Sequence, residues 1–406
     1  MKIQRCKGMR DLSPQEMRVF QHIMGIYRDN FSKWGYLEVR TPTIEFLHLF
    51  TSAGTLTPGM LGKVYSFLDW DGWSGERVVL RPDGTIPVAR MYTDKMQGLA
   101  RLFYTANVFR FEQGGENREV WQCGAEIIGT GGAIADSELV TLSLDILKKL
   151  GINAVIQLSH AGLINAILDR LGLSQETHHK IFDKILDGDT GALAEITRKS
   201  PQLGDSLLPL LNLKGQTPGF LRNQQAVLSR DIPAIKTPLE DFLKTIAVLD
   251  NLGIRYQINI ASGAGFEYYT GIIFQLYAGN EKVGGGGRYD ALVSSMGGGN
   301  APASGFALYL DRLMNLVRAE DLPKSRTRIL VKASGDHVKE AFAAAAALRQ
   351  TGFIAEIELE RQKTDWYLEI KGKGLSYTVS NKAQGIKNEF SSIGEVVNFM
   401  EGQGGN

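Results

Sequence analysis

The feature that most constrains the fold is a pair of neighbouring strand-like segments, residues 102–112 and 120–129, joined by the short polar stretch 113–119. Two strands with so short a connection must pair antiparallel, because a parallel pair needs a crossover of about a dozen residues or more. Further strand-like runs occur at residues 36–41, 78–81, 254–261, 267–278 and 281–284. The sequence therefore predicts a largely antiparallel sheet.

Helical patterns surround these strands. Ser13, Pro14 and Glu16 have the serine, first-turn proline and third-position glutamate of a capped helix start, and apolar residues then recur at helical spacing. Residues 175–252 are helical in pattern and loop-rich, which indicates an inserted helical module. We therefore predict an α+β core over residues 1–318, with an antiparallel sheet flanked by helices and a helical insertion at about 175–252.

The C-terminal part has a different pattern. Residues 319–327 are polar enough for a linker, and residues 328–406 alternate between strand and helix patterns, which predicts a small separate α/β domain. Within it we interpret Trp366 and Tyr367 as a core pair on a helix. Residues 328–406 contain ten basic and ten acidic residues, so the domain is formally neutral, whereas a surface that grips an anticodon stem should be basic.

Composition excludes several classes of protein. The formal net charge is +1, so the whole chain has no electrostatic bias toward phosphate backbones or anionic lipid. No apolar run approaches the roughly 20 residues of a membrane span, and the N-terminus lacks the apolar stretch of a signal peptide. The only two cysteines, Cys6 and Cys123, form neither a disulfide framework nor a metal-ligand cluster. We expect a cytoplasmic protein without a membrane span or a bound metal.

Four short motifs, taken in series, carry the strongest functional signal. They are residues 35–42 (GYLEVRTP), 81–85 (RPDGT), 109–112 (FRFE) leading to 122–126 (QCGAE), and 268–271 (YYTG) leading to 286–290 (GGRYD). Each motif alone is weak, since an arginine–glutamate pair is often a solvated face and a glycine run is often a loop. In this order and spacing, over residues 8–318, they resemble the class II aminoacyl-tRNA synthetase core of the histidyl type.

The resemblance implies a histidine pocket. Free histidine needs an acceptor for its ammonium group and polar partners for both ring nitrogens. By similarity to the family, the α-amino end would be held by Asp83, Thr85 and Gln122, and the imidazole would be lined by Glu126, Tyr269 and Tyr289. Glu126 lies in an otherwise apolar strand, where a carboxylate requires a partner to offset the cost of burial. We interpret Tyr268 as a half-buried sheet aromatic.

The resemblance also implies the remains of a nucleotide site. Arg110 and Glu112 match the family's nucleotide-binding pair, and Arg312 matches the arginine of its third motif. The planar guanidinium suits phosphate because it donates two parallel hydrogen bonds. An ion pair between Arg110 and Glu112, or another neighbour, is an equally good interpretation of Arg110.

Two departures speak against synthetase activity. Ala264 occupies the position of the family's catalytic arginine, and loss of one preorganised donor commonly lowers a rate about a hundred- to a thousandfold. The loop at residues 113–119 contains Glu116 and Glu119 with only Arg118 as a basic residue, so it would repel both ATP and a tRNA end. The sequence therefore predicts no catalytic residues at this site.

These departures resemble a specific family, the regulatory subunits of ATP phosphoribosyltransferase. Asp83 replaces the synthetase glutamate, and residues 118–126 (REVWQCGAE) follow that family's pattern, whereas Gly84 is the synthetase-like choice. The resemblance implies a non-catalytic chain in histidine biosynthesis with histidine as its effector and a degenerate anticodon-binding-like C-terminal domain. It also implies a short-form catalytic subunit as partner, a homodimer through the core, no cofactor and no tRNA. A true histidyl-tRNA synthetase, for which the C-terminal domain argues, and a non-catalytic RNA- or protein-binding paralogue remain alternatives.

Overall fold

The chain forms two compact units, residues 1–322 and 323–406. The computed structural model describes residues 4–52, 62–70, 75–111, 117–170, 232–260, 268–332, 335–360, 363–372 and 375–404, together with scattered residues between 172 and 230. The first unit contains, in chain order, α1 (Pro14–Lys33), β1 (Leu37–Glu38), β2 (Ile44–Phe46), α2 (Leu47–Ser52), β3 (Ser66–Trp70), β4 (Gly75–Leu80), α3 (Thr85–Lys95), β5 (Ala100–Phe109), β6 (Glu119–Ile128), α4 (Ala133–Lys149), β7 (Val155–His160), α5 (Ala161–Asp169), β8 (Lys214–Gly215), α6 (Lys236–Asn251), β9 (Tyr256–Asn259), β10 (Ile272–Ala278), β11 (Glu281–Arg288), α7 (Asp290–Ser295), β12 (Ala303–Tyr309) and α8 (Leu310–Leu316).

A nine-stranded sheet organises the first unit. Its strand order is β1-β5-β6-β12-β11-β10-β7-β9-β8. The predicted hairpin is confirmed, since β5 and β6 pair antiparallel along their whole length. The β1–β5 and β7–β9 pairs are parallel, so the sheet is mixed rather than purely antiparallel. A separate antiparallel sheet has the order β2-β4-β3.

Helix α1 begins as the sequence predicts. The Ser13 hydroxyl accepts from the Glu16 backbone N–H at 3.3 Å, and the Glu16 carboxylate accepts from the Ser13 N–H at 2.6 Å. Each bond satisfies a backbone donor that the first turn would otherwise leave unpaired. On the buried face of the helix, Phe31 stacks on Phe103 of β5 at 4.6 Å between ring centroids. The cap and the apolar stripe together fix α1 against the sheet.

The two faces of the large sheet carry separate cores. One face packs against α1, α4, α5 and α6, and the other packs against α3 and α7. Helix α6 falls at the end of the predicted insertion, yet its Phe242, Ile246 and Leu249 are buried in the main core. That helix is therefore part of the core. Most of residues 175–231, where the rest of the predicted module falls, lie outside the described residues.

The second unit is a small mixed sheet with two helices. Its elements are β13 (Arg328–Lys332), α9 (Val338–Gln350), β14 (Ile354–Ile357), β15 (Trp366–Lys371), β16 (Ser376–Asn381), β17 (Ile386–Phe390) and α10 (Ile393–Gly404), with the strand order β14-β13-β15-β16-β17. The prediction of a helix at Trp366 and Tyr367 is wrong, because both lie on β15. Trp366, Leu368 and Ile370 alternate into the core, which is the period-two pattern of a strand.

Within the described parts of the chain, no helix has the length and apolar character needed to cross a membrane.

Candidate functional site

A patch of very small residues forms the floor of a pocket on the α3 face of the large sheet. Gly285 of β11 lies opposite Ala307 of β12, and Ala307 in turn lies opposite Gly124 of β6. Gly305 is paired with Glu126. Directly paired residues share one face of a sheet, so these strands leave a depression where ordinary side chains would fill the space.

The pocket is lined by residues from six segments of the first unit. They are Asp83, Thr85, Arg110, Gln122, Tyr268, Tyr269, Gly285, Tyr289, Gly305, Phe306, Ala307 and Tyr309. Five of the six residues predicted to hold histidine are among them. The sixth, Glu126, is fully buried in the adjoining wall, and a Cβ at Gly305 would come within 2.5 Å of its Cδ. Glycine at position 305 thus makes room for the carboxylate.

Glu126 accepts hydrogen bonds from the hydroxyls around it. Thr85 Oγ1 donates to Oε1 at 2.8 Å, and the Tyr289 hydroxyl donates to Oε2. Burial raises the pKa of the Glu126 carboxyl to about 8, although these hydroxyl donors act in the opposite direction. In its ionised form this carboxylate, shielded from solvent and held by fixed donors, is suited to accept one further N–H from a ligand.

Asp83 sits on the turn that begins α3. Its Oδ1 accepts from the Ile86 backbone N–H at 2.8 Å, so the carboxylate caps the helix as well as facing the pocket. Burial raises the pKa of Asp83, while the backbone donors and the charge of Arg110 oppose that rise. The preceding Arg81 is structural, since its guanidinium donates to the carbonyls of Thr41, Pro42 and Asn107 at 2.8–3.0 Å.

Three tyrosines form an aromatic wall. The Tyr268 ring lies 5.1 Å from that of Tyr269 and meets the Tyr289 ring edge-on at 5.5 Å. Tyr268 precedes β10 rather than lying in a strand, and it lines the pocket. The interpretation of Tyr268 as a sheet aromatic is therefore wrong, because Tyr268 lies before the first residue of β10, Ile272, and lines the pocket.

The structure places the predicted nucleotide-binding arginines apart. Arg110 lines the pocket near Asp83. Arg312 instead donates to the Lys282 carbonyl at 2.6 Å and lies over the Tyr309 ring at 5.1 Å from its centroid. Glu112 and Ala264 lie outside the described residues, so their predicted roles remain predictions. Of the two nucleotide residues that the structure describes, Arg110 lines the pocket and Arg312 does not.

A buried network of ion pairs lies on the face of the sheet opposite the pocket. Arg288, directly before Tyr289, forms ion pairs with Asp136 of α4 and with Asp241 of α6, the latter at 2.7 Å. His160 Nε2 lies 3.1 Å from Asp241, and Ser304 donates to Asp136 at 2.8 Å. The network ties two helices to the strands that carry the pocket residues.

Sequence reasoning missed Tyr104. It is buried on β5 opposite Gly124, and its hydroxyl is 3.4 Å from that of Thr85. A tyrosine in a strand-like run carries no local sign of this role, and only its pairing with a glycine could have drawn attention to it. Among the described residues, no group of three or more histidine, cysteine, aspartate or glutamate side chains could hold a metal ion.

Comparisons with known proteins agree with this architecture. The profile of the histidyl-tRNA synthetase family matches residues 8–313. A histidine–tRNA ligase from Archaeoglobus fulgidus is 34% identical to the chain, covering 88% of it and 86% of that protein. The solved structure of a histidyl-tRNA synthetase from Nostoc sp. superposes with a TM-score of 0.75 over 99% of the chain and all of that chain; at 18% identity it shows the fold alone.

A regulatory subunit of another enzyme matches at higher identity. An ATP phosphoribosyltransferase regulatory subunit from Dehalococcoides mccartyi is 47% identical over 409 aligned residues, which cover 99% of each protein. A structure from Bacillus halodurans, described as an ATP phosphoribosyltransferase regulatory subunit/histidyl-tRNA synthetase, has a TM-score of 0.74 and 26% identity, covering 90% of the chain and 95% of that chain. These findings confirm the predicted class II synthetase-like fold. The chain belongs to the histidyl-tRNA synthetase family and, within it, to the regulatory subunits of ATP phosphoribosyltransferase.

Proposed function

We propose that the pocket binds L-histidine and that the chain reports the histidine level to a short-form catalytic subunit of ATP phosphoribosyltransferase. The observation that carries this proposal is the buried Glu126, held by the hydroxyls of Thr85 and Tyr289 beside a pocket that also contains an acid and an arginine. The phosphoribosyl transfer itself takes place on the partner chain.

Each group of histidine has a complementary side chain in the pocket. Glu126 accepts a ring N–H, and Tyr269 lies against the ring. Asp83 and Gln122 accept from the α-ammonium group. Arg110 faces the α-carboxylate, for which a guanidinium is the best protein partner. The Thr85 hydroxyl donates to Glu126, so Thr85 orients the imidazole acceptor rather than contacting the α-amino end.

Regulation requires that histidine stabilise one of two states of the assembly through different contacts in each. We propose a homodimer through the first unit as the frame of that assembly. Leu37, Leu99 and Ile134 are more than half exposed on this unit, and an interface that covered them would remove their apolar surface from water. A cytoplasmic location agrees with the free thiols of Cys6 and Cys123. The proposal includes no tRNA, because residues 328–406 are formally neutral.

Reconstitution tests the proposal directly. The purified chain, mixed with a short-form catalytic subunit, should raise ATP phosphoribosyltransferase activity, and L-histidine should then lower that activity. Calorimetry should detect L-histidine binding by the chain alone, and Asp83→Asn should weaken it about tenfold or more, since a hydrogen bond to a charged group is lost. Tyr27→Phe is the control, because the buried Tyr27 hydroxyl has no hydrogen-bond partner among the described residues. Absence of activation and of histidine binding would contradict the proposal.

Synthetase activity is the second candidate. Relatives named histidine–tRNA ligase reach 34% identity, and Arg110 is retained in the pocket. Because alanine stands where the family's catalytic arginine is expected, we expect no histidine-dependent exchange of pyrophosphate into ATP. Exchange at a rate typical of a synthetase would favour this candidate over the regulatory one.

A further inference from the structure

Tyr104 is packed between two glycines from different parts of the first unit. Its ring covers Gly124, its partner across the β5–β6 pair, and also reaches Gly84 on the turn before α3. A Cβ at Gly124 would lie 2.6 Å from Cε1 of the ring, and a Cβ at Gly84 would lie 2.6 Å from Cζ. Real Cβ atoms do not approach so closely, so both glycines are required by this ring.

The hydroxyl of Tyr104 reaches the centre of the pocket wall. It lies 3.4 Å from Thr85 Oγ1, and Thr85 Oγ1 in turn donates to the Glu126 carboxylate at 2.8 Å. Glu126 therefore accepts from two hydroxyls, those of Thr85 and Tyr289, and the Tyr104 hydroxyl contacts that of Thr85. An ionised carboxylate offers about four acceptor positions, so these hydroxyls leave few directions for a further donor.

The close approach of the turn at residues 83–85 to the sheet requires glycine at position 84. The turn at residues 83–85 supplies both Asp83 and Thr85 to the pocket, and it can approach β5 and β6 only where no side chain intervenes. The Tyr104 ring fills the resulting gap and holds the turn against the sheet. Aromatic rings often cover a glycine on a neighbouring strand in this manner.

We propose that Tyr104 is the positioning residue of the pocket: its ring fixes the turn at residues 83–85 against β6, and its hydroxyl, through that of Thr85, directs Glu126 toward a ring N–H of the ligand. This inference rests on the proposed histidine binding and deepens it. It implies selection for an unsubstituted imidazole, because a directed carboxylate rejects a ring whose nitrogen carries a methyl group in place of hydrogen.

The first test is calorimetry with L-histidine and its two ring-N-methylated isomers. Tyr104→Phe keeps the ring and removes only the hydroxyl. We expect it to weaken L-histidine binding about tenfold and to reduce discrimination against whichever isomer carries its methyl group toward Glu126. Tyr27→Phe, which removes a buried hydroxyl on the other face of the sheet, should change neither. Unaltered affinity and selectivity in Tyr104→Phe would overturn the proposal.

The second test needs no ligand. The titratable groups that face Glu126 are Asp83, Tyr104, Tyr268, Tyr269 and Tyr289. Burial raises the pKa of Glu126, and the hydroxyls around it, that of Tyr104 among them, act to lower it, so Tyr104→Phe should move the Glu126 titration to higher pH. Infrared difference spectra against Glu126→Gln would follow that carboxyl. A chain that binds no histidine would contradict the proposed function, whereas an unshifted titration would contradict the role of Tyr104.

A double-mutant cycle separates the ring from the hydroxyl. Gly124→Ala should lower the thermal unfolding midpoint and the affinity for L-histidine while Tyr104 is present, because the added methyl group displaces the ring. In a Tyr104→Ala background the same change should shift the unfolding midpoint little further, since non-additivity of this kind marks residues in direct contact. Equal effects of Gly124→Ala in both backgrounds would show that the ring does not hold the turn.

Discussion

Glu126→Gln should remove a large part of the pH dependence of stability in the first unit. Burial raises the pKa of Glu126 from about 4.5 to about 8. Between these values the folded chain keeps the proton while the unfolded chain has lost it, so stability falls as the pH rises. The slope is about 1.4 kcal/mol per pH unit, which amounts to a loss of about 2 to 3 kcal/mol between pH 5.5 and pH 7.5.

Glutamine does not titrate, so the variant does not undergo this loss of stability. The free energy of unfolding of Glu126→Gln, relative to the natural chain, should rise by about 2 to 3 kcal/mol over the same interval. Urea denaturation at pH 5.5, 6.5 and 7.5 measures the difference. Comparing the variant with the natural chain cancels the pH-dependent contributions of other buried acids whose pKa values are also raised, such as Asp83 and Asp136.

Glu138→Gln is the matched control. Burial acts to raise the pKa of Glu138, but hydrogen bonds from Arg101 and Tyr36 outweigh it and the pKa is lowered. Its stabilisation is complete above the ordinary glutamate pKa and is lost only as the pH falls through the lowered value. The variant should therefore lose the same free energy at all three pH values. A pH-independent difference for Glu126→Gln as well would refute the reasoning about Glu126.

Three further changes test the rest of the structure. Arg288→Met should lower the free energy of unfolding by about 3 to 5 kcal/mol in urea titrations, because it leaves the buried Asp136 without its cation; a loss below about 1 kcal/mol would contradict the network. Gly305→Ala should displace Glu126 and thereby weaken L-histidine binding at least about tenfold in calorimetry. Gly25→Ala on α1 is the control: a Cβ there meets nothing within 4 Å, so this variant should bind L-histidine with unchanged affinity. Ser13→Ala should cost about 1 kcal/mol of stability and speed amide exchange in the first turn of α1; unchanged exchange would argue against the cap.

Features with a short-range signal could be predicted from the sequence. The cap and stripe of α1 lie within one helix, and the β5–β6 hairpin follows from two strand patterns and a short connection. Trp366 and Tyr367 were misassigned because a short apolar run fits helix and strand alike. Helix α6 was assigned to an insertion because a helical pattern does not say which core the helix packs against.

The sequence by itself determined the pocket's chemistry, because a carboxylate such as Glu126 in an apolar strand, or Asp83 in a known motif, is visible along the chain. Only the tertiary structure decided which partners these groups have. Tyr104 meets Gly124 through strand register and Gly84 through the turn before α3, and Arg288 meets Asp136 and Asp241 through two packed helices. Contacts between residues so distant in sequence depend on how the elements pack, and the pattern along the chain does not contain that information.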